Sequence, residues 1–291
     1  MHRKSILGVI LGLLIVPAVA HAQSVFSDTY VIPIVGHIAG LNGRWMSDVT
    51  ITNFQPTPLT VQLIVVESGE NNSDNIFPLT TSSINGSVVV PPNATVVLMD
   101  VLNGHRGMQN VSGALILGGD KPFAVTSSSY LRGNGTKLGQ TVTPARDFFE
   151  NSTGQSDTTQ VAIIPGISSN ASTRTNIGFV AGAGSAGGGP LVVQVTIRDA
   201  GGATLGTKLV TIPSGNFTQT QFPVVSITST PFDVGSAEFR IVQGLGTVVP
   251  YASVIDNASG SGMYIMGQFP ASTPLAKTAF SSAIFRNLFQ W

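Results

Sequence analysis

One set of residue signals occurs twice in this chain, in the same order and at nearly the same spacing. The matching positions are Pro33 with Pro165, the Pro-Leu pairs 58–59 with 190–191, and Leu138-Gly-Gln140 with Met266-Gly-Gln268. The members of the first two matches lie 132 residues apart. Between these anchors the two copies differ by insertions of loop length. A single long-period repetition of this kind predicts two homologous domains rather than an array of small repeats.

Each copy has the residue pattern of a β-sheet protein. Val, Ile and Thr are frequent, and Gly, Pro, Asn and Ser interrupt them at short intervals, as expected of short strands joined by turns. In the run 191–198, Val193, Val195 and Ile197 alternate with polar side chains, which predicts a half-buried strand. No convincing amphipathic helix occurs between residues 25 and 270.

The predicted fold class is all-β, with two tandem immunoglobulin-like antiparallel β-sandwich domains. Roughly seven or eight short strands per copy, with turns about every 8–12 residues, are typical of that architecture. Because the chain has no cysteine, the disulfide of antibody domains is excluded and the predicted likeness is to the architecture alone. A small barrel or a jelly roll is the alternative.

Three hairpins are predicted where two strand-like runs flank turn-forming residues. The paired runs are 191–198 with 207–212, 113–117 with 123–130, and 237–243 with 248–254. Each pair would place two antiparallel neighbours in the same sheet.

The N-terminus has the three parts of a secretory signal peptide. Arg3 and Lys4 form a basic start, an apolar run follows, and Ala20-His21-Ala22 is a small-x-small cleavage signal. A retained membrane anchor is the alternative, although the apolar run is shorter than the ~20 residues that a spanning helix needs. The predicted organisation is a signal peptide (1–22), a first β-sandwich domain (23–147), a linker (148–159), a second β-sandwich domain (160–270) and an apolar C-terminal tail (271–291).

The composition excludes several classes of function. The absence of cysteine removes thiol catalysis, thiolate metal sites and redox chemistry. Charged residues make up 10% of the chain, against roughly a quarter in average domains, and they form no basic stripe for nucleic acid. Cleavage after Ala22 would leave only His37 and His105, so groups suited to acid–base catalysis are scarce.

The repeated signals contain a motif that resembles a repeat in exported proteins of environmental bacteria. The first copy is Ile32-Pro33, Gly40, Gly43, Ser47-Asp48, Ile51 and Asn53, and the second is 174–178 followed by 251–257 (Tyr-Ala-Ser-Val-Ile-Asp-Asn). The resemblance covers about residues 30–270. It implies export and a tandem β-sandwich architecture, and it implies no catalytic residue. The Asn-Pro expected after the second copy's strand is replaced here by the glycine loop 181–189.

Four residues near the first strong strand form the candidate binding site. His37, Arg44, Trp45 and Asp48 would combine an indole platform with a guanidinium and a carboxylate, which suits a sugar or another polar polymer. In the structural alternative, Trp45 packs at the edge of the sandwich and Arg44 pairs with Asp48. The second copy has Ser172-Thr173-Arg174 at the matching place and therefore no aromatic residue.

Other candidate sites carry less support. His105 and Arg106 could contact a ligand, but a polar turn bounded by glycines explains them as well. A metal shared by His37 and His105 would lack a spaced acidic partner, and no cofactor or metal is expected. The end of the tail, 278–291, would either dock on the second domain as a short helix or form the last strand of an outer-membrane barrel.

These features favour a binding or structural function without catalysis. We expect an exported protein, at the cell surface, in the medium or in the periplasm, that serves adhesion, polymer contact or envelope assembly. Expected partners are a neutral polysaccharide or another envelope protein, and copies could assemble through exposed strand edges. No nucleic-acid partner and no transmembrane helix in the mature chain are expected. The alternatives are an outer-membrane β-barrel and an extracellular hydrolase with carboxylates near Trp45.

Overall fold

The fold is that of a computed structural model, which describes residues 27–40, 43–73, 85–133, 136–145, 149–151, 160–184 and 189–269. The predicted signal peptide (1–22), the predicted tail (271–291) and most of the predicted linker lie outside these residues. The first half of the molecule is taken as residues 27–145 and the second half as residues 149–269. Nearly all of the regular structure is antiparallel β-sheet, so the predicted all-β class is confirmed.

The first half contains seven strands and a short helix within its described residues. The strands are β1 (Ser27–Gly40), β2 (Gly43–Thr52), β3 (Leu59–Glu67), β4 (Asn85–Val90), β5 (Thr95–Leu98), β6 (Val111–Gly133) and β7 (Thr136–Val142), and the helix α1 is Val101–Arg106.

Strand β6 is long enough to serve two sheets. Its N-terminal part pairs with β1 and β3, and its C-terminal part pairs with β2 and β7. The strand orders are β4-β3-β6-β1 in sheet A and β5-β2-β6-β7 in sheet B. The end of β1 also pairs with the start of β2, from Ile38 opposite Trp45 to Gly40 opposite Gly43, so the two sheets are connected there. Because β6 passes from one sheet to the other, Leu117 and Phe123 of the same strand are both buried in the core between the sheets.

The second half contains nine strands within its described residues, and a single 3-10 turn at Val224–Ser226. The strands are β8 (Phe149–Asn151), β9 (Ala162–Ser169), β10 (Thr173–Ala183), β11 (Leu191–Asp199), β12 (Thr204–Ile212), β13 (Phe217–Pro223), β14 (Phe232–Gln243), β15 (Gly246–Asp256) and β16 (Gly262–Met266).

The strand order of the first half occurs again in the second. Sheet C has the order β13-β10-β15-β16, and sheet D has the order β12-β11-β14-β9. Sheet D therefore matches sheet A strand for strand, and sheet C matches sheet B, with β14 and β15 together in the place of β6. Strand β8, which falls inside the predicted linker 148–159, pairs with β15. The repeated sequence signals thus coincide with a repeated topology.

One of the three predicted hairpins is confirmed and two are wrong. Strands β11 and β12 pair as predicted, with Thr196 opposite Thr207. The runs 113–117 and 123–130 instead form one continuous strand, β6. The runs 237–243 and 248–254 belong to β14 and β15, which lie in different sheets. In both cases the glycines between the runs let the chain cross from one sheet to the other, and the crossing buries apolar residues on both sides of it in one core.

Each half encloses its own apolar core. In the second half Val193, Val195 and Ile197 are fully buried, which confirms the alternation predicted for β11. The rings of Phe179 and Phe239 meet edge to face there, with centroids 6.3 Å apart, an arrangement that aromatic pairs favour. The buried residues of the first half include Ile32, Ile51, Leu59, Leu98, Leu115 and Phe123.

A third apolar cluster lies between the halves. Strand β3 directs Leu63 and Val65 into the first core, whereas Ile64 and Val66 alternate to the other face of sheet A. There they pack with residues of sheet C, namely Val180, Phe217 and Val249. A backbone bridge between Ser68 and Gln219 adds a polar link. The two halves are therefore joined through buried apolar surface.

Helix α1 occurs where a polar turn was predicted. It begins after Asp100, whose φ of 47° is left-handed, and ends at Gly107, whose φ is 65°. The Gly107 N–H donates to the Asn103 carbonyl at 3.0 Å, a common helix end. Val101 and Leu102 are buried and hold the helix against the core. Two adjacent apolar residues are too few to reveal a helical period, so the sequence pattern does not predict this helix.

Among the residues that the structure describes, no helix has the length and apolar character needed to span a lipid bilayer.

Candidate functional site

The four predicted binding residues do not share one surface. Arg44 and Asp48 lie on the outer face of β2, whereas Trp45 lies on the opposite face, because neighbouring strand residues alternate. Arg44 donates to the Asn110 side-chain oxygen at 3.2 Å. His37, on β1, is buried. Of the predicted binding residues, His37 and Asp48 take part in a polar network inside the protein, whereas Trp45 lines a cleft.

The polar network connects His37, Asp48, Asp100 and Tyr130. The His37 Nδ1 lies 2.9 Å from each carboxylate oxygen of Asp100. The backbone N–H of Asp100 donates to Asp48 Oδ1 at 2.9 Å, and the Tyr130 hydroxyl donates to the same oxygen at 2.9 Å. His37 and Asp100 are both nearly inaccessible to solvent, so the network is largely internal.

The geometry of the network is that of a structural brace. It ties β1, β2 and β6 to Asp100, the residue before α1. A left-handed conformation is unfavourable for a residue with a side chain, and the hydrogen bonds made by Asp100 offset that cost. Within the described ranges, no group of three or more His, Cys, Asp or Glu residues is arranged to hold a metal ion. His105 is exposed on α1 and is not part of this network.

Three tyrosines of this protein, Tyr130, Tyr251 and Tyr264, have raised pKa values. Burial, together with the hydrogen bond to Asp48 and the nearby negative charge, raises the pKa of Tyr130 to about 12. Burial also raises the pKa of Tyr251 and of Tyr264. Because the folded state holds these phenols neutral more strongly than the unfolded state does, the stability they add is present below pH 10 and is lost as pH rises further.

We expect alkaline unfolding to accompany phenol ionisation. Phenolate absorbance, followed together with circular dichroism, should show the main rise above pH 10, with loss of structure between pH 10 and about 12. In Tyr130→Phe the dependence of stability on pH in this range should be weaker, because one ionising phenol is gone. Ionisation of Tyr130, Tyr251 and Tyr264 near pH 10, with the fold unchanged, would contradict this interpretation.

Trp45 lies in a cleft between the two halves. The cavity has a volume of about 370 Å³, within the range of small-ligand sites. Its apolar lining includes Trp45, Ile34, Ile38, Phe222 and Ile255. Its polar lining residues come from both halves, namely Ser68, Ser112, Ser129, Gln140, Asn176, Gln221 and Ser253. Of the described residues that line this cleft, none carries a charge.

Two of the cleft amides are held by hydrogen bonds within the protein. The Ser253 hydroxyl donates to Gln140 Oε1 at 3.0 Å, and this pair links the second half to the first. The Tyr251 hydroxyl donates to Gln221 Oε1 at 3.2 Å, and it accepts from the Gln219 amide. Such preorganised neutral groups can orient a polar, uncharged ligand beside the indole of Trp45.

Sequence reasoning identified Trp45 but not the residues that face it. Gln140 and Ser253 belong to the segments 138–140 and 251–257. These segments match between the two copies and therefore predict the repeat, but they indicate no binding role. Asn176 lies in the second copy of the motif in the same way. No pattern in the sequence indicates that these positions meet Trp45, because the contact depends on how the two halves pack.

The comparisons with known proteins leave the family open. No protein-family model matches the chain, and no curated protein matches it. Among solved structures, the chain is similar to a lectin from Pleurotus ostreatus in complex with GalNAc. The sequence identity is 10%, the match covers 82% of this chain and 81% of the lectin chain, and the TM-score is 0.20. A TM-score at this level supports no argument about fold or function.

Proposed function

We propose that this chain is an exported, non-catalytic binding protein, and that the cleft between its halves takes a neutral polysaccharide. The observation that supports the proposal most is the composition of the cleft: the half-buried Trp45, several Gln, Asn and Ser residues, and no charged residue among those described there. The proposal of export is supported by the sequence of residues 1–22, with its basic start, apolar run and small-x-small end.

The architecture that we propose is a pair of tandem immunoglobulin-like β-sandwich domains. Two facts support it: the same order of strands occurs in both halves, and each half has its own buried core. Rigid sandwiches of this kind hold recognition residues in fixed positions. Here the recognition residues would lie where the two domains meet, a frequent place for ligand sites.

The chemistry of the cleft suits a sugar. One face of a pyranose ring carries C–H groups that pack on an aromatic ring, and its edge carries hydroxyls that need donors and acceptors. Trp45 supplies the ring, while Gln140, Gln221 and Asn176 supply amides. Because none of the described lining residues is charged, a charged ligand would lose its hydration there and gain no counter-ion from them. An uncharged glycan avoids that cost.

A binding function without catalysis is favoured by the position of the carboxylates. Glycoside hydrolysis generally uses two carboxyl groups that flank the scissile bond. Asp48 lies on the other face of β2 from Trp45, and Asp100 is held by His37. Asp48, the carboxylate of the predicted binding site, thus serves the internal network together with Asp100.

The test is a fluorescence titration of the Trp291→Phe variant. The chain has two tryptophans, so this variant reports Trp45 alone. Titration with cellohexaose, xylohexaose and chitohexaose should change its emission in a saturable way for at least one sugar, because a stacked sugar ring excludes water from the indole. Charged oligosaccharides such as oligogalacturonate serve as the control and should give no saturable change. Unchanged emission with all the neutral sugars would overturn the proposal.

A further inference from the structure

We infer that the cleft prefers N-acetylated sugars, and that Gln221 and Gln140 donate their amide hydrogens to the acetamido carbonyl. This inference rests on the proposed function, since it names the class of neutral glycan for the same cleft. It follows from the hydrogen bonds that the two glutamines already make inside the protein, in which both side chains act as acceptors.

Each of the two amide oxygens already accepts one hydrogen bond inside the protein. Gln221 Oε1 accepts from the Tyr251 hydroxyl at 3.2 Å, and Gln140 Oε1 accepts from the Ser253 hydroxyl at 3.0 Å. The Tyr251 oxygen also contacts the Gln219 amide, and the Tyr251 hydroxyl donates to Gln221. Gln140 and Ser253 are both buried, so their pair is not replaced easily by water.

The donor side of the amides remains for the ligand. A primary amide has one carbonyl oxygen and two N–H donors. Gln221 and Gln140 both line the cleft. Because each oxygen already accepts one hydrogen bond inside the protein, we assign their Nε2 hydrogens to the ligand. A ligand that matches them offers an acceptor. A sugar hydroxyl can accept a hydrogen bond, but its own O–H also needs an acceptor when it is buried. A carbonyl oxygen only accepts, so it creates no such need.

The apolar part of the lining fits the methyl group of an acetamido substituent. Ile34, Ile38, Phe222 and Ile255 line the same cavity as the glutamines. A methyl group buried among such side chains gains from leaving water, and a bare hydroxyl in that position would be desolvated instead. One substituent would thus satisfy both the fixed donors and the apolar wall.

The experiment compares two hexasaccharides that differ only at this substituent. Chitohexaose and cellohexaose share one β-1,4 backbone, with an acetamido group in the first where the second has a hydroxyl. Isothermal titration calorimetry on the full chain should give roughly tenfold or tighter binding of chitohexaose, the order expected for one added hydrogen bond and one buried methyl.

A variant pair assigns the preference to Gln221. Gln221→Glu replaces the donor by an acceptor of the same shape, and it should reduce the preference for chitohexaose to within about threefold of cellohexaose. Gln109→Glu is the matched control, because Gln109 is exposed and contacts Asn103 outside the cleft. This control should keep the preference of the unmodified protein.

The outcomes separate the inference from the proposed function. Equal binding of the two sugars, or tighter binding of cellohexaose, would overturn the preference and leave the cleft as a site for neutral glycans. A preference that survives in Gln221→Glu would overturn the role of Gln221. Absence of heat with both sugars, together with unchanged Trp45 fluorescence with all three neutral hexasaccharides, would overturn the inference and the proposed function together.

Discussion

Trp45→Ala should weaken the binding of a neutral oligosaccharide by roughly 30-fold, because truncation of a central aromatic residue typically costs about 2 kcal/mol. The indole supplies a flat apolar surface against which a sugar ring can pack in this cleft. The measurement is isothermal titration calorimetry with the hexasaccharide that the unmodified protein binds most tightly. Trp45→Phe should recover part of the loss, because it restores an aromatic face of smaller area.

The matched control for this variant is Phe54→Ala. Phe54 lies two residues after the end of β2, and its side chain is 39% exposed. It is not one of the described residues that line the cleft. Its removal should leave the affinity unchanged within twofold. Equal losses of affinity in Trp45→Ala and Phe54→Ala would show that the losses reflect general destabilisation. Unchanged affinity in Trp45→Ala would place the sugar outside the cleft.

Phe239→Ala should lower the free energy of unfolding by about 3–5 kcal/mol. Phe239 is fully buried and packs edge to face on Phe179 in the core of the second half. The truncation removes both the apolar burial and the ring contact, and it leaves a cavity that rigid sheets on either side close poorly. A loss of that size is a large fraction of the ~5–15 kcal/mol that stabilises a typical folded domain.

Denaturant unfolding followed by circular dichroism measures this loss. The control is Val234→Ala on the same strand, β14, because the Val234 side chain is 58% exposed. Its free energy of unfolding should stay within about 0.5 kcal/mol of the unmodified protein. A loss below about 1 kcal/mol in Phe239→Ala would contradict the assignment of this ring to the core.

The β-class and the register of single strands are predictable from the sequence because they depend on local alternation. In β11, Val193, Val195 and Ile197 are buried as the period of two requires. The points where the chain crosses from one sheet to another are not predictable in this way. A glycine pair such as Gly118-Gly119 can form a tight turn or lie inside a central strand. Here it lies inside a strand, because β1 and β3 pair on either side of it.

Trp45 is the one cleft residue that the sequence predicts as a binding residue. Tryptophan is rare in this chain, which has two, and its side chain is typical of recognition sites. Asp48 and His37 have the chemistry of binding groups, yet the same chemistry makes an internal network with Asp100 and Tyr130. Gln221 and Ser253 come from the second half, so their place beside Trp45 depends on the apolar contact between Phe217, Ile64 and their neighbours.

The most direct test of the proposed function is a crystal structure of the protein with a bound neutral hexasaccharide. We predict a sugar ring against the indole of Trp45, between the halves, with Gln140 and Gln221 within hydrogen-bond distance of it. A sugar ordered elsewhere on the surface, with the cleft beside Trp45 holding solvent alone, would contradict the account.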